Sequence, residues 1–419
     1  MTRYKITAPR LLNSVVSLPA SKSISNRALI IYALSGGHLL PHNLSDCDDT
    51  EVILDALRYM PMEINIKAAG TAMRFMTAYL SVMRGTRMIT GTERMKHRPI
   101  RILVDALREL GAHIEYAGEE GYPPLRITGR SLTGGTLEIE GSVSSQYISA
   151  LLMIGPVLEK GLELRLTGEI ISKPYIDLTL WMMREFGADA DWTAGDTITV
   201  NPKPYQNREY FIENDWSGAS YWYEMVALAN SRDTEVKLGG LMDGSKQGDS
   251  IVRYIFSLLG VKTIFEAKET NKPQMVTLKR NGRCVPRLEY DFVNAPDLAQ
   301  TIVATCIAKE IPFHFKGLAT LKIKETDRIE ALKREMRKLG YMLEDRNDSE
   351  LLWNGERCQP SMEAGIDTYE DHRMALAFAP LAMKFDGLII NNPQVVSKSY
   401  PTFWEGLQEA GYGIEELKD

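Results

Sequence analysis

The chain of 419 residues has little of what several chemistries require. Its four cysteines, Cys47, Cys284, Cys306 and Cys358, are scattered and include no C-x-x-C pair. That argues against a disulfide scaffold or a thiolate zinc site and reads as reduced thiols. The six histidines, His38, His42, His97, His113, His314 and His372, are scattered, and only His38 and His42 stand four apart, in "HLLPH", where Pro41 argues against a shared helical face. No fuller metal-ligand pattern accompanies them. There is no G-x-S-x-G, no Walker A loop and no G-x-G-x-x-G after a strand. No apolar run approaches the roughly 20 residues of a membrane-crossing helix. The start, "MTRYKITAPRLLNSVV", has no signal-peptide apolar region. The net charge of −6 argues against a dedicated nucleic-acid binder. These absences predict a cytoplasmic protein with no metal, no other cofactor, and no nucleic-acid or membrane partner.

What is present is repetition. At 44% hydrophobic, the chain is too long for one core, so two or three domains are expected. Six segments open on small or polar residues and continue as alanine-rich apolar helices: "SNRALIIYAL", "GTAMRFMTAYL", "SSQYISALLMI", "SGASYWYEMVALA", "PDLAQTIVATCIA" and "EDHRMALAFAPLAM". Amphipathic helices such as "RPIRILVDALRELGAHI" and "ETDRIEALKREMRKLGYML" lie between them. All but the first of this second set stop at a glycine: Gly111, Gly187, Gly260, Gly340 and Gly411. Short β-type stretches, "TLEIEG", "LELRLTG", "TITVNP", "TEVKLGG" and "LIINN", fill the gaps. The pattern predicts an α/β fold of repeated supersecondary units, about six of them. The first unit is the least regular, because its second helix lacks the glycine stop. "NPKPYQNRE" at 201–209 suits a domain boundary, and "KETNKPQ" at 268–274 is a further loop signal.

Cations sit at the wrong ends of these helices. In "LPASKSISNRAL", Lys22 and Arg27 flank Ser23 and Ser25, either of which is a natural N-cap. Arg74 follows the expected cap Thr71, and Arg98 precedes Pro99, a good first helical residue. Lys173 lies between Ser172 and Pro174. Arg328 follows Asp327, which has capping-box spacing to Glu330. Arg373 follows Asp371 and His372, and Lys398 lies in "SKSYP". A cation at a helix start is disfavoured by about 0.3–1 kcal/mol. A recurring set implies a compensating anion, which free N–H groups and arginine forks bind well. Gly70 would let the backbone approach such a ligand closely. Lys324 and Glu325 precede a helix cap, where side chains can face a cleft. Asp297 stands at a helix start, where it can serve equally as an N-cap or as an acid–base group.

These motifs resemble the EPSP synthase family over nearly the whole chain. The ones that carry the resemblance are "LPASKSISNRA", "DCDDT", "AGTAMR", "RMKHRPI", "GSVSSQY", "SKPYIDLTL", "QGD", "PDLAQTI", "KETDRI", "DHRMA" and "SKSYPTFWEGL". The resemblance implies two globular domains, 21–212 and 1–20 with 213–419. Each would have three βαβαββ-type units, with the active site in the interdomain cleft and a monomer as the state. It implies transfer of the enolpyruvyl group of phosphoenolpyruvate to the 5-hydroxyl of shikimate 3-phosphate, releasing phosphate. Lys22, Gly70, Thr71, Arg98, Gln146, Arg328, Arg373 and Lys398 would hold phosphoenolpyruvate. Lys22, Ser23, Arg27, Ser144, Ser145, Gln146, Ser172, Tyr175, Asp297, Thr320 and Lys324 would hold shikimate 3-phosphate. Asp297 resembles the base that takes the 5-hydroxyl proton, and Glu325 the acid that protonates the methylene carbon, with Lys22 and Lys398 assisting. The departures are Ala20, Ala68 and Phe75, together with Thr320 and Glu370 where the family usually has Asn. The segment before "AGTAMR" is also short, which implies lost strands in the first unit. The sister family, UDP-N-acetylglucosamine enolpyruvyl transferase, usually has a reactive cysteine in the loop that here reads "GTERMKHRPI". The other alternative is a non-catalytic phospholigand-binding descendant.

Overall fold

The computed structural model describes residues 2–267 and 271–417. Lys268, Glu269 and Thr270, the first part of the 268–274 loop signal, lie outside the described residues. The chain divides into two compact units, one of Ala20–Ile212 and one of Met1–Pro19 with Glu213–Asp419. Each has its own apolar core. Ile24, Met73, Leu103, Leu151 and Met183 belong to the first, and Ile6, Trp222, Val303, Leu332 and Phe403 to the second.

Four sheets share one plan, in which the first two strands pair parallel and two more add antiparallel, in the spatial order first, second, fourth, third. In the Ala20–Ile212 unit this plan builds Glu63–Asn65, Gly85–Thr90, His113–Tyr116 and Leu125–Gly129 into one sheet. It recurs there with Gly135–Glu140, Leu162–Thr167, Ala190–Trp192 and Thr197–Val200. The other unit has it in Asn13–Val16, Glu235–Leu241, Val261–Phe265 and Gln274–Arg280. It appears there again in Leu288–Asp291, Phe313–Lys316, Glu344–Arg346 and Glu350–Trp353. The fifth sheet, Leu388–Asn391, Arg3–Thr7 and Gly413–Leu417, is completed by a parallel bridge from Ile366 to Ile390. The N-terminal strand thus takes the fourth place in the last repeat. Between Val16 and Glu63 the chain forms the helices Lys22–Leu34 and Asp48–Tyr59 and no named strand.

The two helix sets have different jobs. The alanine-rich helices, such as Ser145–Ile154 and Ala299–Ala308, are buried along nearly their whole length. Small side chains let them pack closely at a core centre. The amphipathic helices bury one stripe. In Arg101–Glu109 it is Leu103, Val104, Ala106 and Leu107, and each buried leucine there contributes about 1.5–3 kcal/mol. The glycine stops work as the spacing predicts: Gly111, Gly187, Gly260, Gly340 and Gly411 all have φ between 82° and 103°. In the first unit Met60 takes the left-handed position at φ 41°, where its Cβ costs roughly 1–2 kcal/mol.

Several expected caps are elsewhere. The cap of Lys22–Leu34 is Ser21, whose hydroxyl accepts from the Ile24 amide at 3.4 Å, in place of Ser23 or Ser25. Ser25 is buried one turn inside, where its hydroxyl accepts from the Ser45 amide at 3.0 Å. Thr71 is the second residue of Gly70–Val82 and not its cap, which is Ala69. Pro99 does not open the next helix, which runs Arg101–Glu109 after Ile100. Asp327 does cap its helix, accepting from the Glu330 amide at 3.0 Å.

Candidate functional site

In the Ala20–Ile212 unit, side chains join the N-terminal halves of four helices. Arg27 is buried and donates from Nε to Thr179 Oγ1 at 2.7 Å and from Nη1 to the Ser23 carbonyl at 2.9 Å. Its Nη2 reaches Ser149 Oγ at 3.2 Å and the Tyr175 carbonyl at 3.4 Å. It therefore ties the Lys22–Leu34, Ser145–Ile154 and Lys173–Glu185 helices together through neutral oxygens. Among the described residues it has no carboxylate partner, and burial pulls its pKa down to about 10. Gln146 Nε2 donates to Thr71 Oγ1 at 3.1 Å, adding the start of Gly70–Val82.

Gly70 leaves room for what lies against it. A Cβ there would stand 2.7 Å from Arg98 Nη1 and 3.0 Å from Arg74 Nη1. Two guanidinium groups therefore lie on a helix start whose cap, Ala69, offers no side-chain hydrogen bond. Unsatisfied N–H groups with arginine beside them suit a phosphate or carboxylate. Ser144 caps its helix through the Gln146 amide at 3.3 Å, and Ser145 opens that helix. Ser172 is left-handed at φ 53° and makes no side-chain cap bond. Lys22 pairs with the buried Asp49 at 3.2 Å.

In the other unit the cations meet acids. Arg328, the first residue of Arg328–Lys338, is buried and touches three carboxylates. Its Nε donates to Asp371 Oδ2 at 2.7 Å, Nη1 to Asp297 Oδ1 at 3.0 Å, and Nη2 to Glu325 Oε2 at 3.0 Å. Arg373 Nη2 lies 3.0 Å from Asp297 Oδ2, and its Nη1 donates to the Tyr221 hydroxyl at 3.2 Å. Lys398 Nζ donates to Glu325 Oε1 at 2.8 Å, and Lys324 Nζ lies 3.7 Å from Asp297 Oδ1. Asp297 is thus an acid held by three cations rather than an N-cap. Burial works to raise its pKa, but Arg373, Lys324 and Arg328 outweigh it and hold the carboxyl well below the usual range. Arg328 is raised above its ordinary value, against burial, by Asp371, Glu325 and Asp297. The Thr320 hydroxyl oxygen is buried with no hydrogen-bond partner among the described residues.

Within each unit the structure brings most of the expected residues together. It also adds residues that sequence reasoning left out of the site. Asp49 and Asp371 stood in the quoted "DCDDT" and "DHRMA", where Asp49 is one of three acids and Asp371 precedes Arg373 by two residues. Tyr221 carried no signal. Asp249 of "QGD" is buried, bonded by the Ser217 hydroxyl, and pushed up to about 7 by burial and then by the charge of Asp297. Among the described residues no group of three or more His, Cys, Asp or Glu could hold a metal ion. No described helix is long and apolar enough to cross a membrane.

Comparison with known proteins bears on the family and the fold. The family model described as EPSP synthase (3-phosphoshikimate 1-carboxyvinyltransferase) matches residues 6–66 and 60–407. A Bacteroides fragilis protein named 3-phosphoshikimate 1-carboxyvinyltransferase is 59% identical over 413 residues, 99% of each chain. A protein of the same name from Sulfurovum sp. is 36% identical over 427 residues, 95% of this chain and 97% of that one. The fold is similar to that of EPSP synthase from Acinetobacter baumannii, with a TM-score of 0.78, 20% identity and full coverage of both chains. It is also similar to the enolpyruvyl transferase NikO from Streptomyces tendae, with a TM-score of 0.73, 14% identity and coverage of 100% and 99%. A model match spanning almost the entire chain, and relatives this close over their full length, mean that the chain belongs to the EPSP synthase (3-phosphoshikimate 1-carboxyvinyltransferase) family.

Proposed function

We propose that this enzyme transfers the enolpyruvyl group of phosphoenolpyruvate to the 5-hydroxyl of shikimate 3-phosphate, releasing phosphate, with Asp297 and Glu325 as its proton-transfer pair. The observation that carries the pair is the shared arginine. Arg328 holds both carboxyls at 3.0 Å, while Arg373 and Lys398 hold their remaining oxygens. Asp297 takes the proton of the 5-hydroxyl, Glu325 protonates the methylene carbon, and the alkoxide adds to the electrophilic carbon. The tetrahedral ketal then loses phosphate as Glu325 takes a proton back from the new methyl group, which restores the carbon–carbon double bond in the product.

Charge competition makes Asp297 basic enough for this role. Without substrate, Arg328 and Arg373 are spent on carboxylates, and Asp297 is a weak base. An anionic phosphoenolpyruvate that engages those arginines weakens their pull and lets the Asp297 pKa rise. The same cations then stabilise the charge that develops in the transition state. Lys22, Gly70, Thr71, Arg98 and Gln146 serve the phosphoenolpyruvate anion. Arg27, Ser23, Ser144, Ser145, Ser172 and Tyr175, with Lys324 and Thr320, serve shikimate 3-phosphate.

The test is phosphate release with chelator present. Both substrates together should release phosphate, and either alone should not. No release with both would favour a non-catalytic phospholigand-binding descendant. Release with UDP-N-acetylglucosamine in place of shikimate 3-phosphate would favour the sister transferase.

A further inference from the structure

The turn that delivers Asp371 and Arg373 is backbone of an unusual kind. Tyr369 and Glu370 are consecutive non-glycine residues in the left-handed region, at φ 53° and 57°. L side chains disfavour this conformation, and asparagine is among the few that tolerate it. Two such residues in a row persist only where the surroundings hold them.

The holding group is visible. Glu335 is fully buried on the Arg328–Lys338 helix. Its Oε1 accepts from the Tyr369 hydroxyl at 2.5 Å, and its Oε2 accepts from the Asp367 amide at 3.0 Å. Lys338 Nζ lies 2.8 Å from Glu335 Oε2, and it also donates to Asp367 Oδ2 at 2.8 Å and to the Gly365 carbonyl at 3.0 Å. Beyond the turn, the Asp371 amide donates to the Thr368 carbonyl at 2.8 Å. The Asp371 carboxylate then caps the next helix through the Arg373 amide at 2.9 Å and grips Arg328. Glu335 and Arg328 lie on one helix, seven residues or about 10 Å apart at 1.5 Å per residue. The segment from Asp367 to Asp371 runs between them, fastened at both ends.

We propose that the Glu335–Tyr369 contact is a positioning clamp, which holds the left-handed Tyr369–Glu370 turn and so sets where Asp371 and Arg373 present themselves to Arg328 and Asp297. Neither Glu335 nor Tyr369 touches a reacting atom. They act through Asp371 and Arg373, so the clamp rests on the reading of those residues given above. Burial, and then the bond to Glu335, push the Tyr369 hydroxyl above its ordinary pKa, so it stays a donor throughout the working range.

The decisive variant is Tyr369→Phe, which removes one hydroxyl. The KM for phosphoenolpyruvate should rise about 3–10-fold, the scale of a modest misplacement of binding groups. The KM for shikimate 3-phosphate should stay at the parent value, because most of its proposed contacts lie in the Ala20–Ile212 unit. The Asp367 and Arg373 amides should exchange with deuterium faster, while those of Ala299–Ala308 do not. Adding Glu370→Asn, which eases the left-handed turn, should restore the phosphoenolpyruvate KM. Glu335→Gln, which keeps the shape and weakens the acceptor, should reproduce the effect in smaller measure. Parent-like KM and exchange in Tyr369→Phe would overturn the clamp. So would a fall in kcat with both KM values fixed, since that reports only lost folded enzyme. If the parent enzyme did not turn over these substrates, the functional reading would fail, while the exchange rates would still decide the clamp.

Discussion

Arg27, in the second turn of its helix, and Arg328, at the first residue of its own, are both buried and look alike in the sequence. Arg27 is held by two hydroxyls and two carbonyls, and burial lowers its pKa to about 10. Arg328 is held by three carboxylates, and its pKa is raised. The first arrangement keeps a buried positive charge that a phosphate can neutralise. The second spends its charge on aiming two acids. Under the proposed function, one local signal, a cation near a helix start, serves substrate binding in one unit and acid–base geometry in the other.

The sharpest way to break this comparison is to remove the chemistry from the carboxylate cluster. Glu325→Gln keeps size and hydrogen bonding but loses the transferable proton. The expected outcome is a fall in kcat of roughly 10²–10⁴, with little change in shikimate 3-phosphate affinity. The measurement is kcat together with entry of solvent deuterium into the methylene group of phosphoenolpyruvate. Near-parent turnover and exchange would remove Glu325 from its role.

Next in size is the effect of unpairing the acids. Arg328→Met should destabilise the fold by about 3–5 kcal/mol, because buried carboxylates lose their partner. Urea unfolding measures it. A loss under 1 kcal/mol would mean that the carboxylates find other partners or take up protons cheaply.

Arg27→Met is the counterpart. Thr179 Oγ1 and Ser149 Oγ already lie 2.8 Å apart and can satisfy each other. Stability should hold or rise, whereas shikimate 3-phosphate affinity should fall by about 10–100-fold, the scale of a lost charge-assisted bond. Equal destabilisation by the two Arg→Met changes would erase the distinction between the two sites.

The smallest expected effect concerns Glu213, buried, bonded by the Ser245 hydroxyl at 2.6 Å, and pushed by burial up to about 7. Its folded pKa lies above the unfolded value near 4.3, so its contribution is whole below that value. It is lost as pH rises towards 7. Glu213→Gln should therefore gain roughly 1–3 kcal/mol over the parent at pH 8 and much less at pH 4. A gain independent of pH would show that the carboxyl is already ionised in the folded protein.

Much of the site was legible before any coordinates because its chemistry sits in short segments. "KETDRI" placed Lys324 and Glu325 ahead of a cap, and Asp327 does cap that helix. The caps that failed did so for tertiary reasons. Ser25 was taken by the amide of Ser45, twenty residues away, and the start of Gly70–Val82 was left without a side-chain cap. Asp297 was open between cap and acid because local spacing cannot show Arg373, seventy-six residues later in the chain, arriving at 3.0 Å.

The sequence by itself determined the period, the helix types and their stops. These depend on side-chain spacing and on glycine at left-handed positions, which neighbours along the chain decide. It also carried the family, through motifs in order. The tertiary structure alone decided which charge each cation faces, because that depends on residues distant in sequence. Arg27 meets Thr179 and Ser149, whereas Arg328 meets Asp371 and Asp297. It also decided that the N-terminal strand would complete the last repeat and that Glu335 would hold Tyr369 in its turn. Coulomb and hydrogen-bond energies depend on distance in space, and only the folded chain sets those distances.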